Sequence, residues 1–223
     1  MNYLQLAQRL RQEVGIAGTG PSAVTNQTGE LKRLVDWIAT SWDDIQRLRN
    51  DWNWLKGTFS FTTTANDDRY TSAEAGIASR FDHWDENMVR VYSSSVNDET
   101  ELVFLPYEDW RAIYRVGTQS PSRPVHFSYD PATKDLLLGY KPDAVYTISG
   151  EYFKNIQTLD DDADEPEMPA KYHMAIVYKA MMKYARYNAA GEIYDDAKIE
   201  YNKIRAELEG RELPQTLMAG PLA

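Results

Sequence analysis

The most constraining feature of the sequence is a junction within residues 145–187, where three kinds of pattern follow one another. Tyr146, Ile148 and Tyr152 share one face of an alternating segment, which is typical of a half-buried β-strand. An acidic, proline-marked segment follows, and a long helical pattern then begins. We interpret the junction as the joint between a β-rich middle and a helical frame, so the chain must combine both kinds of structure.

Two helical patterns precede the β-rich middle, within residues 1–56. The second covers residues 29–55, where apolar side chains recur three and four residues apart over several turns. Two interpretations of this stripe remain open: it packs within the chain, or one of its faces meets a neighbouring subunit. The stripe consists of Leu31, Leu34, Val35, Ile38, Trp42, Ile45, Leu48, Trp52 and Leu55.

The sum of these patterns predicts an α+β fold with a long-helix bundle frame, an inserted small antiparallel β subdomain and an extended C-terminal arm. Short alternating segments separated by turn residues predict about five or six strands within residues 57–158. Residues 159–210 are predicted to contain the acidic hinge and the C-terminal helices of the bundle. Residues 211–223 form the predicted arm.

The charge balance limits the classes of partner. The chain carries 34 acidic and 24 basic residues, for a net charge of -10, which argues against a basic nucleic-acid-binding surface. An acidic wall would instead repel DNA that passes nearby. The absence of cysteine excludes disulfides, thiolate metal sites and cysteine nucleophiles.

Hydropathy favours a protein made and used in a cytoplasm-like compartment. No stretch approaches the roughly 20 apolar residues of a membrane span. The first residues, MNYLQLAQRLRQEV, lack the apolar run of a signal peptide.

An acidic run occupies residues 160–167 and is interrupted by Ala163 and Pro166. Such a run either binds a divalent cation or forms a solvated linker, and its prolines favour the linker. The acids also come just ahead of a predicted helix, where negative charge is favourable by about 0.3–1 kcal/mol per group. We therefore interpret the run as a joint that favours the helix start.

The residues that usually carry catalysis do not form a recognisable motif. His83, His126 and His173 lie on three separate predicted elements, without metal-ligand spacing. The segment DHWDEN, residues 82–87, lacks the ligand alternation and the glycine of a calcium loop, so it is interpreted as a solvated turn. The sequence contains no GxSxG, HExxH or Walker motif. Abundant acids leave a paired-carboxylate glycosidase open, but we expect no catalytic residue, no cofactor and no metal.

Two groups of residues are predicted to bind a partner. Lys179, Lys183 and Arg186 form a basic stripe beside the apolar face of the helix that follows the hinge. The arm carries apolar residues suited to fold on a partner, at an ordering cost that binding offsets. These arm residues are Leu213, Pro214, Leu217, Met218 and Leu222.

The order and spacing of segments over nearly the whole chain resemble those of the head-to-tail adaptor (connector) proteins of tailed bacteriophages. The resemblance is strongest within residues 123–187. It rests on RPVHF at 123–127, LLL at 136–138, KPD at 141–143, YF at 152–153, the acidic hinge, YH at 172–173 and IVY at 176–178. Gly139 and Tyr140 depart from the family pattern, in which a second proline often occupies this turn.

The resemblance implies a non-enzymatic structural protein of the virion. Family members assemble as a dodecameric ring beneath the portal, extend the DNA channel and provide a docking platform for tail nozzle or tail fibre proteins. The implied partners are further copies of the chain, the portal protein and these tail proteins. Genomic DNA passes through the channel without specific binding, and no membrane is involved.

The resemblance also implies a location and a role for the arm. The implied location is the head–tail interface of the virion, with assembly in the host cytoplasm. The arm, residues 211–223, corresponds to the segment that reaches the portal in the family. The alternatives are a virion-associated peptidoglycan hydrolase, a generic oligomeric interaction module and a nucleic-acid-binding module.

Overall fold

The structure is a computed structural model that describes residues 1–214. The chain forms two compact units. Met1–Leu55 and the described residues from Ile156 onward make up one, here called the helical unit, and Lys56–Asn155 make up the other, the β unit. The helical unit is therefore assembled from two segments that the whole β unit separates in sequence.

The α+β class is right, but the expected long-helix bundle frame is wrong. Residues 1–214 contain five α-helices, and the longest, α5, has 22 residues. Two short 3-10 helices cover Asn53–Leu55 and Ala170–Tyr172. The α-helices are α1 (Tyr3–Glu13), α2 (Gly29–Gln46), α3 (Tyr107–Tyr114, in the β unit), α4 (Met174–Tyr187) and α5 (Gly191–Glu212).

The predicted helix over residues 29–55 ends at Gln46 because the chain folds back there. The indole N–H of Trp52 donates to the carbonyl of Gln46 at 3.2 Å and so occupies one of the carbonyls that a helix end leaves without a partner. Leu48, predicted to lie on the stripe, is exposed, whereas Trp52 and Leu55 are buried. Apolar spacing alone does not distinguish a continuing helix from a fold-back that returns to the same core.

The apolar stripe of α2 packs within the chain. α1 and α2 pack against each other and both contact α4, while α5 packs along α4. A helix core of this kind is stabilised mainly by burial of apolar area, at about 25 cal/mol per Å². Its fully buried members include Leu6, Leu10, Leu34, Ile38, Trp42, Ala175, Ile176 and Ala180.

The acidic segment before α4 is a structured loop that supports the start of α1. The backbone carbonyls of Asp164 and Asp162 accept the backbone N–H groups of Tyr3 and Leu4, at 2.7 and 3.3 Å. These N–H groups belong to the first turn of α1, where a helix offers them no partner of its own. The loop, which comes late in the chain, therefore supplies hydrogen-bond acceptors to the first turn of a helix near the chain's beginning.

The carboxylate of Asp164 fixes the shape of this loop. It accepts the backbone N–H groups of Asp161 and Asp160, at 2.8 and 2.7 Å, and these bonds lower the pKa of Asp164. In the described chain, the first turn of α4 holds no acid and α4 has no side-chain cap. The acids lie ahead of α4 in the chain, as expected, but outside its first turn, and the backbone carbonyls of their loop bind the start of α1.

Two glutamines hold the chain where it returns to the helical unit. Gln46 is 1% exposed; its Nε2 donates to the carbonyl of Gln157 at 2.9 Å, and its Oε1 accepts the N–H of Gln157 at 2.7 Å. The side chain of Gln157 then donates to the carbonyl of Glu165 and accepts the N–H of Glu167, at 2.8 and 3.0 Å. Both side chains therefore pair backbone groups that lie outside helices and strands, as buried backbone requires.

The β unit contains two sheets with nine strands, one pair of them parallel, so the expected antiparallel subdomain of about five or six strands is wrong in strand number and in strand direction. In the first sheet, β9 pairs with β1 along one edge and with β3 and β4 along the other, and β5 pairs with β4. The second sheet has the order β2-β8-β7-β6. The strands are β1 (Lys56–Thr62), β2 (Arg69–Tyr70), β3 (Phe81–Trp84), β4 (Arg90–Ser93), β5 (Asp98–Glu101), β6 (Val103–Phe104), β7 (His126–Tyr129), β8 (Leu136–Gly139) and β9 (Thr147–Lys154).

One strand pair is parallel, and the chain between its strands explains why. β6 and β7 run in the same direction, and parallel neighbours need a crossover connection that usually contains a helix. α3 lies in that connection. The two-residue strands β2 and β6 are too short to produce an alternating pattern, so sequence analysis undercounts them.

Close packing fixes the position where β9 changes neighbours. A Cβ atom at Gly150 would lie 2.8 Å from the carbonyl oxygen of Met88 and 2.9 Å from the ring of Phe59. Only glycine fits such an approach without displacing its neighbours. The fully or nearly fully buried residues of this core include Trp84, Val89, Val91, Phe127, Leu136, Leu138 and Ile148.

We predict that Gln46→Met lowers the free energy of unfolding of the helical unit by about 2–4 kcal/mol, because the N–H and the carbonyl of Gln157 would be left without partners. Urea denaturation, monitored by tryptophan fluorescence, measures this loss. Gln12→Met is the matched control on the exposed side of α1 and should change stability by no more than about 0.5 kcal/mol. Equal effects of the two substitutions would contradict the assigned role of Gln46.

Candidate functional site

The three predicted basic residues, Lys179, Lys183 and Arg186, line one cleft of the helical unit. The cleft has a volume of about 240 Å³ and lies between α4 and α5, with one residue contributed by α2. We call it the basic cleft. It is lined by Asp44, Lys179, Met182, Lys183, Arg186, Tyr194, Lys198, Tyr201 and Asn202.

Helical spacing brings these side chains together. Lys179, Lys183 and Arg186 are separated by four and three residues, so they follow one face of α4. Tyr194, Lys198 and Tyr201 are separated in the same way on α5. The cleft therefore depends on two sets of i, i+4, i+7 positions on helices that pack against each other.

Lys183 is the cation of the cleft with a counter-ion. Its Nζ lies 3.0 Å from Oδ2 of Asp44 and donates to Oγ1 of Thr40 at 2.8 Å. Both acceptors belong to α2, so this contact also connects α2 with α4. Because both side chains remain partly exposed, the pair contributes at most about 1 kcal/mol to stability.

Arg186 is held by an aromatic neighbour. Its Nη2 donates to the hydroxyl oxygen of Tyr194 at 3.1 Å, and its guanidinium carbon lies 5.3 Å from the centre of the Tyr194 ring. The hydrogen bond from Arg186 lowers the pKa of Tyr194. A guanidinium has five N–H donors, so most of them remain free to bind a ligand.

The remaining cations, Lys179 and Lys198, lack counter-ions. Among residues 1–214, neither they nor Arg186 form an ion pair. The Nζ of Lys179 lies 5.2 Å from the centre of the Tyr201 ring, a cation–π distance. The cleft thus combines four cations with the single carboxylate of Asp44.

Tyr201 adds a polar group that lacks a partner. The residue is 5% exposed, and within the described chain its hydroxyl has no hydrogen-bond partner. Burial raises the pKa of Tyr201, so the hydroxyl keeps its proton. The hydroxyl is itself buried, and the unpaired ammonium and guanidinium groups beside it are the groups suited to hold an anion with several oxygen atoms.

The predicted arm residues are described only in part. Leu213 packs against the core of the helical unit, and Pro214 is exposed. Leu217, Met218 and Leu222 lie outside the described residues. The arm therefore remains a predicted partner site.

The three histidines occupy separate structural positions. The Nδ1 of His126 lies 2.6 Å from the hydroxyl of Tyr114, and the ring of His83 stacks on Phe153 with centroids 4.7 Å apart. Burial lowers the pKa of His173. Over residues 1–214, no three His, Asp or Glu side chains are grouped so that they could hold a metal ion.

Sequence analysis identified one wall of the basic cleft and missed the other. Tyr194 and Tyr201 have the helical spacing of a packing face, and Lys198 lies beside them on the exposed surface. In the sequence, the entire β unit lies between Asp44 and the other residues of the site. The repeat of i, i+4, i+7 positions on α5 was the available signal, but it becomes informative only once α5 is known to pack along α4.

No helix of the described chain is both long and apolar enough to cross a membrane. No curated protein matches the chain.

The model of the SU10 adaptor protein family matches residues 1–222, and the chain belongs to this family. It is therefore a phage adaptor protein. This membership indicates a structural protein and a component of the virion.

We predict that Tyr201→Phe raises the free energy of unfolding of the isolated protein by about 1 kcal/mol, because it removes a buried hydroxyl without a partner. Thermal and urea denaturation measure the change. Tyr3→Phe is the matched control, since the hydroxyl of Tyr3 donates to the carbonyl of Val35 at 3.1 Å and its loss should be destabilising. A loss of stability in Tyr201→Phe as large as in Tyr3→Phe would contradict the unpaired state of the Tyr201 hydroxyl.

Proposed function

We propose that the protein is a head-to-tail adaptor whose copies form a dodecameric ring beneath the portal. In this role the ring extends the DNA channel and offers a docking platform to tail nozzle or tail fibre proteins. The observation that carries the proposal is the family match over residues 1–222. Because the match covers both units, both are expected to take part in the adaptor role.

The helical unit offers surfaces on which neighbouring copies can pack. α5 contacts the rest of the unit through a seam that includes Ala197, Tyr201 and Leu208, all buried. The opposite side of the helix carries Ile199, which is 54% exposed. A long helix covered on one side only is suited to side-by-side packing in a ring.

The charge of the chain supports a channel through which DNA moves without specific binding. A net charge of -10 per copy is multiplied in a ring, and like charge repels the phosphate backbone. Strong binding to DNA depends on cations that release condensed counterions. The proposed channel therefore lets DNA pass without holding it. Assembly of the ring is proposed to take place in the host cytoplasm, before the particle is complete.

The arm is proposed to contact the portal. Leu213 anchors the start of the arm to the helical unit, and Pro214 follows it on the surface. The apolar residues Leu217, Met218 and Leu222 would then provide the contact with the portal. The ordering cost of such a segment is offset when it binds.

Electron microscopy of the purified chain mixed with its portal tests the proposal. We predict a ring of twelve copies on the portal, and no association with the portal by a chain truncated after Pro214. The truncated chain should keep the melting temperature of the full chain, because the helical core lies within the described residues. Failure of the full chain to join the portal under any assembly condition would contradict the proposed function.

A further inference from the structure

We propose that the basic cleft is the receiving half of the contact between adjacent copies, and that it binds carboxylates from the acidic loop, residues 160–165, of a second copy. This inference rests on the proposed ring. It assigns the charged contact that orients one copy against the next.

The chemistry of the cleft selects a carboxylate ligand. Lys179, Arg186 and Lys198 have no ion pair among residues 1–214. A guanidinium and two ammonium groups match the oxygens of one or two carboxylates. A phosphate of DNA has similar chemistry, but a duplex carries its negative charge along its whole length and meets the rest of an acidic surface, whereas a second copy can bring one acidic loop to the cleft.

The acidic loop presents suitable carboxylates. Asp161 and Glu165 are exposed, and within the described chain neither side chain makes a hydrogen bond or an ion pair. The backbone around them is held by the Asp164 carboxylate and by the bond from Gln157 to the carbonyl of Glu165. A loop held in this way loses little conformational freedom on binding.

The loop of one copy does not fill the cleft of the same copy. No residue of the loop lines the cleft within residues 1–214, and the loop is bound to the start of α1 through Tyr3 and Leu4. The cleft residues Lys179 and Arg186 lie roughly 8 and 18 Å along α4 from its first residue, at 1.5 Å per residue. The loop precedes that first residue and contacts α1 rather than the cleft, so the proposed contact takes its carboxylates from a second copy.

A contact between two different patches suits a ring. When a cleft on one copy receives a loop from the next, the interface is heterologous, and repetition with a closing rotation gives a cyclic assembly. Opposite charges on the two patches also disfavour contacts of cleft with cleft or loop with loop.

Charge reversal tests the proposal in the full chain. Lys179→Glu with Lys198→Glu should raise the concentration needed for ring formation at least about tenfold, and so should Asp161→Lys with Glu165→Lys. A chain that carries all four substitutions should recover most of the loss. The matched control, Lys32→Glu with Lys203→Glu, makes the same charge change at exposed positions outside the cleft and should leave assembly unchanged. Circular dichroism establishes that every variant is folded.

Crosslinking tests the same contact through the proximity of two residues, so it does not depend on a measured change in the concentration needed for ring formation. Because the native chain has no cysteine, the only thiols in a mixed ring are those of Asp161→Cys in one copy and Lys198→Cys in a second, differently tagged copy, and a short bismaleimide that joins the two variants gives a dimer that carries both tags. We expect crosslinked dimers from the mixed ring and none when Gln12→Cys, on the exposed side of α1, replaces Asp161→Cys.

The outcomes distinguish a failure of the proposed contact between cleft and loop from a failure of the proposed adaptor function. If the unsubstituted chain forms rings but the reversals do not weaken them and no crosslink appears, the proposed contact is wrong while the adaptor function stands. If the unsubstituted chain forms no ring with the portal, both proposals fail. Tight, salt-sensitive binding of duplex DNA that is lost in the Lys179→Glu and Lys198→Glu variant would assign the cleft to nucleic acid and overturn the proposal.

Discussion

The paired amide bonds between Gln46 and Gln157 hold the returning chain against the end of α2, and the helical unit depends on this contact. The unit is built from two segments that the entire β unit separates, so loop closure costs entropy that local contacts must offset. A buried glutamine that satisfies both backbone groups of one residue sets the position of the returning chain. The position at which the chain returns then determines where the acidic loop, α4 and α5 lie.

The basic cleft follows from this arrangement. The acidic loop comes next in the chain, and its carbonyls complete the first turn of α1. α4 then packs on α1 and α2, and α5 packs along α4. Lys183 meets Asp44 of α2 at 3.0 Å, so one ion pair in the cleft depends on the return of the chain to α2. Within the described chain, Lys179, Arg186 and Lys198 are brought together in the cleft without ion-pair partners, in an otherwise acidic protein.

Much of the fold could be predicted from periodicity, because α1, α4, α5 and the longer strands have clear spacing. The end of α2 could not, since Trp52 and Leu55 continue the helical pattern although they fold back onto the same core. The parallel pairing of β6 with β7 depends on a two-residue strand that has no period. For the site, the α4 wall was visible as Lys179, Lys183 and Arg186, whereas Asp44 and Lys198 join it only through tertiary packing.

Hydrogen exchange of individual backbone amides tests the central claim most directly. If the glutamine pair holds the returning chain, the amide of Gln157 should exchange at the rate of the core amides of α2 and α4, because it is released only when the helical unit unfolds. Exchange of Gln157 at the rate of an unprotected amide, while α2 and α4 stay protected, would contradict the account.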